Sequence, residues 1–339
     1  MNQITSVRGI RRSELPSVAV PRIDMSTQIG SLMMPSPVLT AAGCAGNSKE
    51  LDGFVDLAAI GAVTTRSVTM RARAGTPTPR AVETPSGMVS AIGLQGPGLD
   101  RFIDRDLAWL EQRGARIIVS IAGSTIDEFA KVAQRLRSVG GFDAVEVNLD
   151  CPNPDGSGAA FGADPEAAAA VVQAVRRHTD TRVPTIGKLI PDVTDIVSVA
   201  RAVQRAGADA LTLIHAPGGM VIDVDRMRPG LGGIVGSLSG PAIRPIALRC
   251  VWQVRAALPD LPIIGTGGIR TGLDALQFVM AGAHAVAIGT SIFGDPSSPM
   301  RIHRELAVAL HERGFASLGD AIGIAHRSVR REPEPDPQA

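Results

Sequence analysis

The sequence predicts an α/β fold, a TIM (β/α)8 barrel with extended loops on the C-terminal face of its strands. Eight short runs rich in aliphatic and β-branched residues recur along the 339 residues, and helical segments separate most of them. Most of these runs are apolar throughout, as expected for parallel strands that are buried on both faces. A doubly wound open sheet is the alternative, but it does not need eight units, and no GxGxxG motif follows the first run.

The predicted elements alternate between strand and helix along most of the chain. The eight predicted strands are 37–43, 61–69, 115–123, 143–149, 184–190, 209–216, 262–269 and 285–293. Many helical segments open with Ser, Thr or Asp near an N-cap, and several close on Gly. The predicted helices are 48–61, 125–141, 164–179, 192–209 and 271–284.

Two connections, 70–100 and 217–242, are too long for plain loops. Both follow a predicted strand, so we expect them on the face where the active sites of such barrels form. One catalytic domain is predicted over residues 28–325, preceded by an N-terminal extension over 1–27. The charged, proline-rich segment 326–339 is predicted to be a disordered tail.

The composition argues against several classes of function. A formal net charge of +1 and only 3% aromatic residues argue against nucleic acid and anionic membranes as partners. The three cysteines, Cys44, Cys151 and Cys250, form no CxxC motif, so we expect no metal site, disulfide framework or iron–sulfur cluster in this chain. Because neither a signal peptide nor an apolar run of about 18 residues is evident, we expect a cytoplasmic protein.

Two glycine clusters predict a phosphate-binding site. GTGGI (265–269) ends the seventh predicted strand, and IGTS (288–291) ends the eighth. In TIM barrels the loops after these two strands often bind phosphate through backbone N–H groups, and glycine lets the backbone approach the ligand closely. Tight packing of strand against helix is the alternative explanation for the glycines.

Four polar residues near the ends of predicted strands are candidates for chemistry. Lys188 ends the fifth strand between apolar neighbours, where it could stabilise a developing anion or form a structural ion pair. Asn148 ends the fourth strand and could contact a ligand or simply terminate the strand. Cys151 follows it, and its thiol could be a base, a nucleophile or inert packing. His215 ends the sixth strand, so it faces the presumed site.

Taken together and in order, five sets of motifs resemble those of the dihydroorotate dehydrogenases, which are FMN-dependent TIM barrels. They are GTPTPRAVETPSGMVSAIGLQGPG (75–98), NLDCPN with FGADP (148–165), KLIPDVTDIVSVARA (188–202), GSLSGPAIRPIALR (236–249), and GTGGI followed by IGTS. The resemblance covers residues 28–325 and looks closest to the soluble, NAD-linked type, whose catalytic chain pairs with an iron–sulfur/FAD subunit. The chain is also similar to the pyrimidine domain of dihydropyrimidine dehydrogenases.

The resemblance implies FMN as the cofactor and assigns roles to matching positions. It implies Cys151 as the catalytic base and Lys188 as the residue that stabilises the reduced flavin. Flavin contacts are implied for Ala41, Ala42, Gly43, Arg66, Ser67, Asn148, Lys188, Ile214, Ser239, Gly240, Gly267, Gly268, Gly289 and Thr290. Substrate contacts are implied for Arg66, Ser90, Ile92, Gly93, Leu94, Asn148, Asn153 and His215.

The reaction implied by the resemblance is the oxidation of dihydroorotate to orotate in pyrimidine biosynthesis. Cys151 would remove the proton at substrate C5 while hydride passes from C6 to flavin N5. A glycine-rich loop, 154–163, would cover the site and exclude water. The resemblance also implies a homodimer and an iron–sulfur/FAD electron-transfer subunit as partners.

The sequence departs from the family pattern where substrate contacts are expected. Arg66 stands where the family has Lys, Ser90 where it has Asn, and Asp150 where it has Ser. His215 and Ala216 replace an Asn followed by Thr or Ser. A paralogue that acts on a different cyclic amide or dihydropyrimidine is therefore an alternative function. A tRNA dihydrouridine synthase-like enzyme and a non-catalytic, partner-binding barrel are more remote alternatives.

Overall fold

The computed structural model describes residues 22–152 and 159–329 of the chain. Its strands are β1 (Thr27–Ile29), β2 (Leu32–Met34), β3 (Val38–Thr40), β4 (Val63–Thr64), β5 (Ala81–Thr84), β6 (Gly87–Ser90), β7 (Ile117–Ile121), β8 (Ala144–Asn148), β9 (Thr185–Leu189), β10 (Ala210–Leu213), β11 (Gly218–Met220), β12 (Ile222–Asp223), β13 (Arg228–Pro229), β14 (Val235–Ser239), β15 (Ile263–Thr266) and β16 (Ala285–Ile288).

The helices lie between the barrel strands and after the last of them. They are α1 (Leu99–Phe102), α2 (Ala108–Gln112), α3 (Ile126–Val139), α4 (Pro165–His178), α5 (Ile196–Arg205), α6 (Arg244–Ala257), α7 (Gly272–Ala281), α8 (Ser291–Gly294), α9 (Ser298–Glu312), α10 (Leu318–Ala321) and α11 (Ile324–Val329). A π-helical segment, Ile103–Leu107, joins α1 to α2, and 3-10 turns occur at Phe161–Ala163 and Pro241–Ile243.

Eight parallel strands form the barrel, and all eight predicted strands are confirmed. In spatial order they are β3, β16, β15, β10, β9, β8, β7 and β4. The first and last strands of this order also meet, because Gly61 N–H donates to the Val38 carbonyl at 2.7 Å and Thr40 N–H donates to the Ala62 carbonyl at 3.2 Å. The sheet therefore closes, as the predicted (β/α)8 barrel requires.

The N-terminal end of the barrel is sealed by the hairpin of β1 and β2. Ile29 and Met34 of this hairpin belong to one buried cluster with inward-facing barrel residues such as Ile186 and Ile264. The hydroxyl of Ser31 in the hairpin turn donates to the Arg182 carbonyl, just before β9, at 2.7 Å. A ligand can therefore approach the barrel interior from the opposite, C-terminal end.

Four of the five predicted helices are confirmed as α3, α4, α5 and α7. The predicted helix at 48–61 is wrong, because this segment consists of successive turns. Its backbone N–H groups donate to carbonyls three or four residues earlier at a few positions only, so no continuous helical ladder forms. The Asp56 carboxylate accepts from Ala58 N–H at 3.2 Å, so it starts a new turn shortly after Gly53. Leu51 and Val55 are nevertheless buried, which explains the helix-like apolar spacing.

The long connections 70–100 and 217–242 fold together into a second sheet, which we call the covering sheet. Its strand order is β11, β14, β6 and β5, and all its pairs are antiparallel. Ser90 on β6, from the first connection, stands opposite Ser237 on β14, from the second. The prediction that neither segment is a plain loop is confirmed, because each supplies strands to the same sheet.

The ends of the described chain pack on the barrel. Asp24 N–H donates to the Ala316 carbonyl at 3.4 Å, and the ring of His326 stacks on Trp252 with 3.7 Å between centroids. Residues 326–329 of the predicted tail belong to helix α11. Residues 330–339 and residues 1–21 of the predicted N-terminal extension lie outside the described residues.

The closure of the barrel predicts that adding a side chain at Gly61 destabilises the fold. An ideal Cβ at Gly61 would lie 2.4 Å from the Ser36 carbonyl oxygen. Gly61→Ala should therefore lower the free energy of unfolding by about 1–3 kcal/mol, the usual cost of overpacking, in urea denaturation. Gly53→Ala is the matched control, because nothing lies within 4 Å of the position that its Cβ would occupy, and its effect should stay below about 1 kcal/mol. Equal stability of Gly61→Ala and the wild type would contradict this account of closure.

Candidate active site

A cavity of about 1030 Å³ opens at the C-terminal end of the barrel. Strands β3, β9, β10, β15 and β16 end at it, as does β14 of the covering sheet. Most of the residues predicted to contact flavin line it: Ala41, Ala42, Lys188, Ile214, Ser239, Gly240, Gly267, Gly268, Gly289 and Thr290. The volume is large enough for a nucleotide-sized ligand.

The predicted glycine clusters form part of the cavity wall. Gly267 and Gly268 have φ angles of 129° and 72°, which side-chain-bearing residues rarely adopt. A Cβ on Gly268 would lie 2.8 Å from the Gly240 carbonyl oxygen, and a Cβ on Gly240 would lie 2.6 Å from the Gly87 Cα. The loops therefore approach one another through their backbones. This arrangement leaves backbone groups at the cavity surface and fits a phosphate cradle.

A buried ion pair holds Lys188 at the cavity wall. Lys188 and Glu146 are 6% and 3% exposed, and Lys188 Nζ lies 3.7 Å from Glu146 Oε1. The other carboxylate oxygen of Glu146 accepts a hydrogen bond from Thr212 Oγ1 at 2.8 Å. The alternation of side chains along the strands explains why Glu146 and Lys188 meet. Glu146 and Asn148 share the inner face of β8, and Lys188 on β9 stands opposite Asn148. Lys188 therefore forms an ion pair and also lines the cavity.

A chain of hydrogen bonds anchors the segment that follows β8. Asn148 Nδ2 donates to Ser67 Oγ at 3.1 Å, and Ser67 Oγ lies 2.9 Å from Ser120 Oγ. The amide oxygen of Asn148 accepts from Asp150 N–H at 3.0 Å. These bonds fix the direction in which the chain leaves the barrel, just before Cys151.

Asp150 forms a pair with His215, which lines the cavity, and we call the part of the site at this pair its mouth. His215 Nδ1 lies 3.2 Å from Asp150 Oδ2, and the two side chains are 22% and 36% exposed. Burial is the largest influence on both: it lowers the pKa of His215 and raises the pKa of Asp150, and the charge of each partner opposes the other's shift. The pKa of His215 lies below its ordinary value, so its imidazole is neutral at neutral pH.

Cys151 is 1% exposed and does not line the cavity. Burial is the main cause that raises its pKa to about 12; the backbone of Gly123 opposes the rise, and the carboxylate of Asp150 adds to it. The Cys151 carbonyl accepts from Phe161 N–H at 2.9 Å, which closes the base of the intervening loop. Asn153 and residues 154–158 of the predicted lid lie outside the described residues.

The remaining predicted contacts among the described residues do not line the cavity. They are Gly43, Arg66, Ser67, Ser90, Ile92, Gly93, Leu94 and Asn148. Ser90 is inside the covering sheet, and Arg66 N–H donates to Asn47 Oδ1 at 3.3 Å. The ligand contacts of this group stay predictions.

Comparison with known proteins places the chain in a family. A family described as dihydroorotate dehydrogenase matches residues 24–310. A protein of Desulforudis audaxviator, named dihydroorotate dehydrogenase B (NAD(+)), catalytic subunit, is 47% identical over 307 residues, which cover 91% of this chain and 99% of that protein. The chain belongs to the dihydroorotate dehydrogenase family. Proteins of the same name from Geobacter sp. (strain M21) and Geobacter sulfurreducens are 47% and 46% identical, over 89% and 88% of this chain and 98% and 97% of their own length.

Membership of the dihydroorotate dehydrogenase family confirms three sequence-based predictions: the resemblance itself, the TIM barrel and the oxidoreductase class. Enzymes of this family depend on a flavin, and the cavity of this chain is lined by most of the residues predicted to contact one. Among the helices in the described ranges, none is long and apolar enough to cross a membrane.

Three features of this dihydroorotate dehydrogenase-family site were not predicted from the sequence. Glu146 is one, although a charged residue inside the apolar run DAVEVNL is a signal that could have identified it. The second is Cys44, which lines the cavity, and whose thiol would lie 3.1 Å from a Cβ on Gly289. The third is the pairing of Asp150 with His215, for which the sequence carries no local signal because the two residues end different strands.

The buried ion pair predicts a large effect of removing its cation. Lys188→Met leaves the Glu146 carboxylate buried without its charged partner, so we expect the free energy of unfolding to fall by about 3–5 kcal/mol in urea denaturation. Adding Glu146→Gln should restore at least half of that loss, because the carboxylate is then gone as well.

Lys131→Met serves as the matched control for this experiment. Lys131 pairs with Asp127 at 2.6 Å, but both side chains are exposed, so the expected change is about 0.5 kcal/mol or less. Proteins with matched flavin content should be compared. A Lys188→Met protein as stable as the control variant would show that the Glu146–Lys188 pair does not constrain the barrel interior.

Proposed function

We propose that this chain is an FMN-dependent dihydroorotate dehydrogenase that oxidises dihydroorotate to orotate in pyrimidine biosynthesis. The observation that carries the proposal is one cavity at the C-terminal end of the barrel, lined by the glycine cradle and by the cation of Lys188. The names and full-length coverage of the relatives support this substrate.

The cavity residues fit the phosphate and the ring of FMN in different ways. Gly240, Gly268 and Gly289 are the residues that would hold the phosphate, since their backbones lie at the cavity surface without intervening side chains. Ala41 and Ala42 are small and line the same cavity, which suits the flat face of a ring. When bound, the flavin supplies the hydride acceptor that the oxidation needs.

The chain's own residues supply charge and a proton acceptor. The Lys188 ammonium, kept in place by the Glu146 carboxylate, places a positive charge at the cavity wall, where it would stabilise negative charge that develops on a bound ring. The Cys151 thiolate would take the proton that leaves the substrate carbon. Its raised pKa makes it a strong base once it is deprotonated.

The proposed electron acceptor requires a second protein chain. Relatives of this chain are named the catalytic subunits of an NAD(+)-linked enzyme. By analogy, we propose that an iron–sulfur/FAD subunit passes electrons from this chain to NAD(+), and that two copies of this chain form a dimer. The three cysteines of this chain are dispersed through its structure, which is consistent with an electron-transfer cluster on a partner chain.

A second candidate function is the oxidation or reduction of a related cyclic amide by the same cofactor. The pair of Asp150 and His215 favours it, because a carboxylate and an imidazole stand at the cavity mouth where the family has Ser and Asn. Such a substrate would keep the ring amide and differ in the group that meets this pair.

The proposed function is tested by mixing purified, flavin-loaded protein with dihydroorotate without oxygen. We expect the visible absorption of the oxidised flavin to disappear with one equivalent of substrate. Dihydrouracil, which lacks the carboxylate, should reduce the flavin at least tenfold more slowly. Rapid reduction by dihydrouracil, with none by dihydroorotate, would instead establish the second candidate function.

Cys151 as the base predicts a characteristic pH dependence. Since the thiolate is the active form and the pKa is about 12, the limiting rate constant of flavin reduction should rise with pH without a plateau below about pH 9. Cys151→Ser should lower that rate constant by roughly 10²–10⁴-fold at neutral pH, with unchanged flavin content. Stopped-flow absorbance provides the measurement.

Cys250→Ala is the control for the Cys151 substitution. Cys250 is a second buried thiol, but it lies within helix α6 and not just beyond the end of a barrel strand, so the rate constant should stay within about threefold of the wild-type value. If Cys151→Ser also stays within threefold, the proton acceptor is another group.

A further inference from the structure

Three neighbouring barrel strands carry charged or titratable side chains at their C-terminal ends or just beyond them. Lys188 lies on β9, Asp150 follows β8, and His215 follows β10. Because β8 and β10 flank β9 in the sheet, Asp150 and His215 meet across the end of the strand that carries Lys188. The pair is therefore positioned by the barrel rather than by a flexible loop.

The surroundings of His215 Nδ1 decide which ring nitrogen carries the proton. Nδ1 forms a hydrogen bond of 3.2 Å with the Ala216 carbonyl oxygen, and Asp150 Oδ2 lies 3.2 Å from the same nitrogen. Because a carbonyl oxygen can only accept, Nδ1 is the protonated nitrogen, and the nearby Asp150 carboxylate favours the same tautomer. In the neutral imidazole, Nε2 then carries a lone pair and can only accept.

The accepting nitrogen is available to a ligand. His215 lines the cavity, and within the described parts of the chain no group forms a hydrogen bond with its Nε2. An amide such as Asn, which the family has at this position, offers both a donor and an acceptor. The imidazole therefore restricts what the cavity mouth accepts, because it favours a ligand that presents a donor.

This inference rests on the proposed function and names a determinant of its substrate specificity. We propose that Asp150, together with the Ala216 carbonyl, holds the His215 imidazole as its Nδ1–H tautomer, so that Nε2 accepts a hydrogen bond from a ring N–H of a cyclic amide substrate. Asp150 acts as a positioning residue, and His215 contacts the substrate. Dihydroorotate meets this requirement, since its ring amides carry N–H groups.

The charges around the pair set the direction of its pH dependence. Burial lowers the pKa of His215, Asp150 raises it, Lys188 lowers it and Glu146 raises it. Asp150 is itself influenced by burial, His215, Asp192 and Lys188. When His215 takes up a second proton, Nε2 becomes a donor and the hydrogen bond to a substrate N–H is lost. Substrate binding should therefore weaken as the pH falls. The limiting rate constant of flavin reduction depends instead on the ionisation of Cys151.

The experiment measures anaerobic flavin reduction by dihydroorotate as a function of substrate concentration between about pH 5 and pH 8. In the wild type, the half-saturating concentration should rise by up to tenfold per pH unit below the pKa of His215. His215→Asn should abolish that rise. Asp150→Asn should move it to lower pH, because it removes the negative charge that raises the pKa of His215. His311→Asn, on α9 away from the cavity, is the control and should behave as the wild type.

A second measurement separates this proposal from the proposed function. Nitrogen-15 NMR of flavin-loaded protein without substrate should show the Nδ1–H tautomer of His215. Asp150→Ala leaves only the Ala216 carbonyl beside Nδ1, so the Nε2–H fraction should increase. A pH-dependent rise that persists in His215→Asn, an Nε2–H tautomer in the wild type, or an unchanged tautomer in Asp150→Ala would overturn the proposal. Failure of dihydroorotate to reduce the wild-type flavin, combined with an increased Nε2–H fraction in Asp150→Ala, would contradict the proposed substrate and leave the role of Asp150 supported.

Discussion

The ion pair between Glu146 and Lys188 is the interaction on which the candidate site depends. Two charges are almost fully buried inside the barrel, and such charges are tolerated only when they are paired. Glu146 has a second partner in Thr212, so strands β8, β9 and β10 are linked through side chains as well as through their backbones. This constraint keeps the cation of Lys188 at the cavity wall.

The two regions of the cavity use different kinds of chemistry. The cradle around Gly240 and Gly268 depends on backbone approach, which any added side chain would obstruct. The mouth at Asp150 and His215 depends on side chains, which can change without disturbing the strands that carry them. One barrel can therefore keep the same cofactor while its substrate contacts vary, and three of the departures from the family pattern, Asp150, His215 and Ala216, fall at the mouth.

The strands and the cradle could be predicted because their signals are local. Apolar runs such as DAVEVNL mark buried parallel strands, and GTGGI marks a close backbone approach wherever it follows a strand. The segment 48–61 misled the prediction because Leu51 and Val55 have helical spacing although Gly53 and Asp56 divide the segment into turns.

The pairs inside the site could not be predicted in the same way. Glu146 meets Thr212 across 66 positions of the chain, and Asp150 meets His215 only because β8 and β10 flank β9. Such contacts depend on strand order and register, which a run of residues does not encode by itself.

The central claim is that this barrel binds FMN with its phosphate in the glycine cradle and its ring near Lys188. The most direct test is calorimetric titration of flavin-free protein with FMN and with riboflavin, which has the same ring and no phosphate. The account predicts that FMN binds with one molecule per chain. Riboflavin should bind about 100-fold more weakly, as expected for the loss of two charge-assisted hydrogen bonds of about 1.5 kcal/mol each. Equal affinity for the two compounds, or no binding of FMN, would contradict it.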